Sequence, residues 1–187
     1  MSSVAARGPF RADIEGLRAV AVGGVIAYHF GLAELPGGFV GVDVFFVISG
    51  YLITRQILDE IERRGAIDFW AFYARRARRL LPASIFVILA TLAAGYFILA
   101  PSEQQLYAKG AFYASTYIIN LWLIRWSLDY FAQDASSNPF IHFWSLSVEE
   151  QFYLAWPALL LFFTWLRPGR RPLVILLSLA AVISFAL

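Results

Sequence analysis

Two ionisable side chains, Arg18 and His29, interrupt the apolar stretch LRAVAVGGVIAYHFGLA at residues 17–33. On a helix their spacing puts them within roughly 20° of one stripe and about 16 Å apart along the axis. That is about half the thickness of a bilayer's hydrocarbon core. An imidazole at that depth usually faces a bundle interior or a wet cavity. It can take a proton from a hydroxyl as that hydroxyl attacks a carbonyl. A histidine bonded to a neighbouring helix, or placed at interfacial water, accounts for the same residue without chemistry.

A second candidate is the run Arg75-Arg76-Ala77-Arg78-Arg79 within DFWAFYARRARRLLP. Arginine forks bind phosphate bidentately, and aromatic neighbours can stack a nucleobase. On a helix Arg76 and Arg79 share a face, as a phosphate clamp requires. Membrane topology alone also explains such a run. The third candidate is FIHFWSLSVEEQFYLAWP, residues 140–157, with Trp144, Ser145, Ser147, Glu149, Glu150 and Gln151. Ser147 and Glu150 fit a capping box, with Ser147 as N-cap. Glu149 and Gln151 head into an apolar helix without that excuse, and a carboxylate there could orient His29 or hold an acceptor. Asp43, six residues before Ser49 in FVGVDVFFVISGYLIT, either pairs with an arginine or faces a polar cavity. Glycine-rich phosphate loops, metal-ligand spacings and nucleophile elbows are absent, and with no cysteine there is no thiol nucleophile.

These residues must be positioned by membrane helices. The chain is 60% hydrophobic and 15% charged, with a mean hydropathy of +0.65. Soluble domains are about 45–50% apolar and about 25% charged. Net charge is +2, but the basic residues are clustered, and clustering sets membrane orientation rather than nucleic-acid affinity. The fold expected is all-α, a polytopic bundle of about five to six membrane segments. A polar arm, residues 1–16, precedes a first span from Leu17 to about Ala33, and no cleavable signal pattern follows it. A turn, Leu35-Pro36-Gly37-Gly38, leads to a second span in which Gly41 and Gly50 permit close helix contact. Residues 55–79 carry seven arginines, so the positive-inside rule makes this loop, and with it the N-terminus, cytoplasmic. Its aromatic and arginine mixture reads as an interfacial helix. Pro82 then opens a third span over about 83–100. Residues 106–124 are diluted by Lys109, Tyr113 and Asn120, and full crossing would put Arg167, Arg170 and Arg171 outside. A re-entrant, surface-lying or buried segment is therefore expected there. The loop 125–143 is then external, Ser147 to Leu166 returns to the cytoplasm, and a last span starts near Pro172. The apolar ending LVILLSLAAVISFAL reads as a chain cut within a larger domain.

Four motifs in order resemble the acyltransferase-3 family of polytopic membrane acyltransferases. They are Arg18 and His29 in EGLRAVAVGGVIAYHF, GVDVFFVISGYLIT, RRARRLLPA with Arg76 and Arg79, and FWSLSVEEQFYLAWP. The match runs over residues 10–187 and corresponds to the N-terminal half of a domain that normally has about ten spans. The resemblance implies an integral protein of the bacterial inner or plasma membrane. It also implies transfer of an acyl group, usually acetyl from acetyl-CoA, to a hydroxyl of an extracytoplasmic carbohydrate or glycolipid. On that reading Arg76 and Arg79 hold CoA, Arg18 supports the cofactor path, His29 is the base and Glu149 assists it. Asp43, Ser49, Trp144, Ser145, Glu150 and Gln151 bind substrate or serve as structural polar groups. No metal is expected, and no oligomeric state is implied. The rival reading is a transporter or flippase half that uses His29, Asp43 and Glu149 as a proton relay.

Overall fold

The computed structural model describes residues 11–32, 36–127 and 138–166, with Val174, Ile175, Ser178 and Val182 beyond. The first ten residues of the arm, Glu34, positions 128–137, the group Arg167, Arg170 and Arg171, and the body of the span expected from Pro172 lie outside the described residues. Every regular element among the described residues is helical: α1 (Ala12–His29), α2 (Gly41–Arg64), α3 (Phe69–Ile98), α4 (Pro101–Ser115), α5 (Ile119–Ser127) and α6 (Phe143–Leu166). Short 3₁₀ turns at Gly38–Val40 and Pro139–His142 precede α2 and α6. The chain divides into two compact units, Met1–Arg55 and Gln56–Leu187.

Two of these helices are long and apolar enough to cross a membrane, Gly38–Arg64 (with its 3₁₀ lead-in) and Phe69–Ile98. The 30 residues of α3 extend about 45 Å, well beyond a hydrocarbon core of about 30 Å. The excess is the arginine-bearing first third, so the expected interfacial helix and the third span are one continuous helix. Pro82 therefore lies inside α3 and does not open it. Large apolar residues point outward along the helices, among them Val20, Trp70 and Phe97 at 75, 88 and 84% exposed. A water-soluble bundle would turn such residues inward, whereas lipid accepts them.

In the N-terminal unit the close packing is made by glycine. A Cβ on Gly38 would collide with the backbone oxygen of Gly24, and one on Gly41 with that of Ala21 and, at 2.8 Å, with Val25 Cγ2. Backbone cannot yield as a side chain can, so these positions set how tightly α1 meets the start of α2. The helix of α1 begins at Ala12, so the last residues of the polar arm are already helical. Asp13 and Glu15 in its first turn complement the positive end of the helix dipole.

The second unit has a core of Ile88, Ala111, Ala114, Ile119 and Phe140, with Leu92, Tyr107, Tyr113, Trp122, Leu123 and Phe143 around it. The region 106–124 is not one helix. It breaks at Tyr117, whose φ of +54° places a non-glycine residue in the left-handed region. The resulting helices of 15 and 9 residues extend about 22 and 13 Å, short of a crossing. Asn138, fully buried, fills the notch at Gly110, where a Cβ would sit 2.5 Å from its Nδ2. Its amide donates to Leu106 O at 3.1 Å and accepts from Phe140 N at 3.0 Å.

Candidate active site

His29 is the last residue of α1, so the imidazole sits at the helix C-terminus and not part-way along a longer span. Its Nδ1 lies 2.8 Å from Val25 O. A carbonyl only accepts, so Nδ1 carries the hydrogen and, in the neutral ring, the basic lone pair is on Nε2. The Tyr28 ring meets it edge-on at 5.7 Å. Arg18, on the same helix, pairs with Glu15 at 3.1 Å and lies over the Phe45 ring at 5.7 Å. Asp43 is exposed in the first turn of α2, where the helix dipole favours a carboxylate. Ser49 is half-buried in the middle of α2.

The second unit brings α3 and α6 together in antiparallel order. Tyr73 Oη donates to Leu154 O at 2.9 Å, and three residues along α3, Arg76 Nη2 reaches Glu150 Oε1 at 3.4 Å. The Arg76 guanidinium carbon lies 3.3 Å from the Tyr153 ring centroid, with the Phe72 ring at 6.0 Å. Tyr153 is buried, and its hydroxyl donates to the Glu149 carboxylate. Arg76 Nε is buried with no acceptor. Arg79 is exposed, so the two arginines of the expected clamp differ in setting: one is locked inward against α6 and the other lies open.

Gln151 makes a reciprocal amide pair with Asn120 at 3.0 and 2.9 Å. It also donates to Tyr117 O at 2.8 Å. Tyr117 Oη in turn donates to Ser84 Oγ at 3.1 Å. Trp144 is exposed and Ser145 half-buried. The capping box expected at Ser147 is not formed. The turn Pro139–His142 runs straight into α6 at Phe143, so the backbone N–H groups near residue 147 already have helical partners. The Ser147 hydroxyl is instead buried without a partner, and Glu150 is left to meet Arg76.

Residues not singled out from the sequence carry much of this geometry. The contact of Tyr153 with Arg76 and that of Asn120 with Gln151 have no spacing signal, because each joins two different helices. Glu60 had one: it lies four residues before Arg64, with which it pairs at 3.7 Å. This buried carboxylate also faces Arg75 at 3.8 Å and accepts from Asp68 N at 3.4 Å, which joins the end of α2 to the start of α3. Among the described residues no three His, Asp or Glu side chains converge as metal ligands.

An acyltransferase-domain profile matches residues 11–187. The chain belongs to the acyltransferase-3 family. Within it, the chain is similar to the peptidoglycan O-acetyltransferase OatA of Listeria monocytogenes, 40% identical over 168 residues, which is 89% of this chain and 27% of that protein. It is also similar to the O-acetyltransferase OatA of Staphylococcus aureus, 45% identical over 149 residues, which is 80% of this chain and 24% of that protein. The chain thus spans about a quarter of the length of these acyltransferase-3 relatives. No solved structure matches it. The family match takes in both units and every residue of the candidate site.

Proposed function

We propose that this chain is part of an integral-membrane O-acyltransferase that moves an acetyl group from cytoplasmic acetyl-CoA to a hydroxyl of an extracytoplasmic carbohydrate. Two relatives are named for O-acetyl transfer, and one of those names specifies peptidoglycan, which makes a cell-wall glycan the acceptor to test first. On this reading the protein is multi-pass with a cytoplasmic N-terminus, five to six segments of it in this chain. The exposed guanidinium of Arg79 meets donor phosphates at the cytoplasmic surface, Arg76 supports them from its fixed position, and Arg18 lines the path to His29.

The observation that carries the proposal is the Nδ1 to Val25 O hydrogen bond of His29. It fixes the tautomer that leaves Nε2 as base. In the reaction Nε2 takes the proton of the acceptor hydroxyl while that oxygen forms an ester bond to the acetyl carbon. The carbon–sulfur bond of the thioester breaks, and the proton passes to the CoA thiolate. Carboxylates such as Asp43 and Glu149 serve binding and positioning around that step.

The test expresses the protein from its complete gene, with and without His29→Ala, and measures acetyl esters on cell-wall glycan by mass spectrometry. The expected result is a loss of at least about a hundredfold, the scale of a general base, with membrane insertion unchanged. Wild-type acetylation in the variant would remove His29 from the reaction and with it this reading.

A further inference from the structure

We infer that Tyr153 is a positioning residue for the acyl donor, acting through Arg76. This rests on the reading that Arg76 helps to hold the donor's phosphates. A guanidinium on a flexible stem can meet a carboxylate in several geometries. Here three contacts leave it one. Its carbon lies over the Tyr153 ring, 3.3 Å from the centroid, its Nη2 faces Glu150 at 3.4 Å, and Phe72 flanks it at 6.0 Å.

The ring that does this is itself held. Tyr153 is 3% exposed, and its hydroxyl is tied to Glu149 one helical turn earlier. The chain of contacts therefore runs Glu149, Tyr153, Arg76. Arginine recognises phosphate through the direction of its N–H edges, so holding the guanidinium between a ring and a carboxylate limits which edge a phosphate oxygen can meet. Arg76 Nε, buried and without an acceptor, is a donor kept in place by packing and not by its own hydrogen bond. Glu149 acquires a role here that needs no contact with His29: it holds the ring that holds the arginine.

The experiment uses membranes containing the protein expressed from its complete gene, with KM and kcat measured separately for acetyl-CoA and for the glycan acceptor. Tyr153→Leu should raise the KM for acetyl-CoA about thirtyfold, the scale of a desolvated cation–π contact, and leave the acceptor KM unchanged. Tyr153→Trp, which restores a ring face, should stay within about twofold of wild type. Tyr153→Phe and Glu149→Leu both release the hydroxyl tether and should give the same, smaller rise. In an Arg76→Ala background Tyr153→Leu should add nothing, because its route of action is gone.

A donor KM unmoved by Tyr153→Leu, with Arg76→Ala still raising it, overturns the inference and leaves the donor role of Arg76 standing. A donor KM unmoved by Arg76→Ala overturns that role itself. A parallel rise in both KM values, or a change in kcat alone, overturns positioning in favour of general structural damage. If Tyr153→Leu does not insert into membranes, Tyr153→Met, closer in volume and still without an aromatic face, carries the same expectations.

Discussion

Up to Arg55 the hydrogen bonds and ion pairs of Arg11, Arg18 and His29 are local; from Gln56 onward local pairs such as Glu60–Arg64 are joined by polar contacts that reach across the chain. Arg11 pairs with Asp13 at 2.6 Å, Arg18 with Glu15 at 3.1 Å, and His29 with a carbonyl one turn earlier. Arg76 instead meets a carboxylate 74 residues away, Gln151 an amide 31 residues away, and Tyr73 a carbonyl 81 residues away. Local pairs cost little to form and little to lose, since water replaces the partner. The Arg76–Glu150 and Gln151–Asn120 pairs are part-buried by the same packing that creates them, so losing one partner leaves a group stranded. The two regions therefore divide labour: the first keeps an imidazole accessible on a helix closed by glycine contacts, and the second holds polar groups rigidly between helices.

The largest test of that contrast is Glu150→Ala. Arg76 and Glu150 have side chains 19% and 21% exposed, so removing one partner should cost about 3 kcal/mol, the low end for a buried pair. Thermal melting of the detergent-solubilised protein should show it as a lower Tm. Arg76→Met combined with Glu150→Ala should recover part of the loss, because no uncompensated charge is left. A single variant that melts like wild type would remove the distinction between the two regions.

Gln151→Leu comes next. It strands the Tyr117 carbonyl and the Asn120 amide, each a buried or half-buried group, for a cost of about 2 kcal/mol. Asn120→Ala should cost less once Gln151 is gone, and a double-mutant cycle measures that coupling. Strict additivity would show that the amide pair does not act as a unit.

The smallest effects belong to the N-terminal pairs. Glu15→Gln should change stability by less than about 0.5 kcal/mol at neutral pH. Asp13 sharpens the point through pH. The Arg11 guanidinium holds its carboxyl at about 2, below the usual 3.8. The pair's contribution is thus complete above pH 3.8 and fades as the pH falls toward 2. Asp13→Asn should therefore match wild type in Tm at the acid end of that window, with only a slight difference at pH 7. A large deficit at pH 7 would place a tertiary role on a pair that the structure keeps exposed.

The legible and illegible parts of the site follow the same line. Arg18 and His29 could be found because a helix converts sequence spacing into direction, and the arginine run because charge is a local property. Glu149 and Gln151 stood out as polar residues entering an apolar helix, although their partners did not. Seventeen Phe, nine Tyr and six Trp residues offered a face to Arg76, and spacing treats them alike. Packing of α6 against α3 selects Tyr153. Ser147 fits a capping box by spacing for a related reason: the box depends on its own residues alone, whereas the start of α6 is set upstream by Asn138 and the turn it stabilises.

The sequence by itself determined an all-helical membrane chain, the stripe joining Arg18 to His29, and the basic segment that opens α3, because hydropathy, period and charge are properties of neighbouring residues. Tertiary structure alone decided that Arg76 turns inward while Arg79 stays out, that Tyr117 breaks the 106–124 run, and that glycines set the contact between α1 and the start of α2. Each of those outcomes depends on which surface a helix meets, and that is a matter of contacts between residues far apart in the chain.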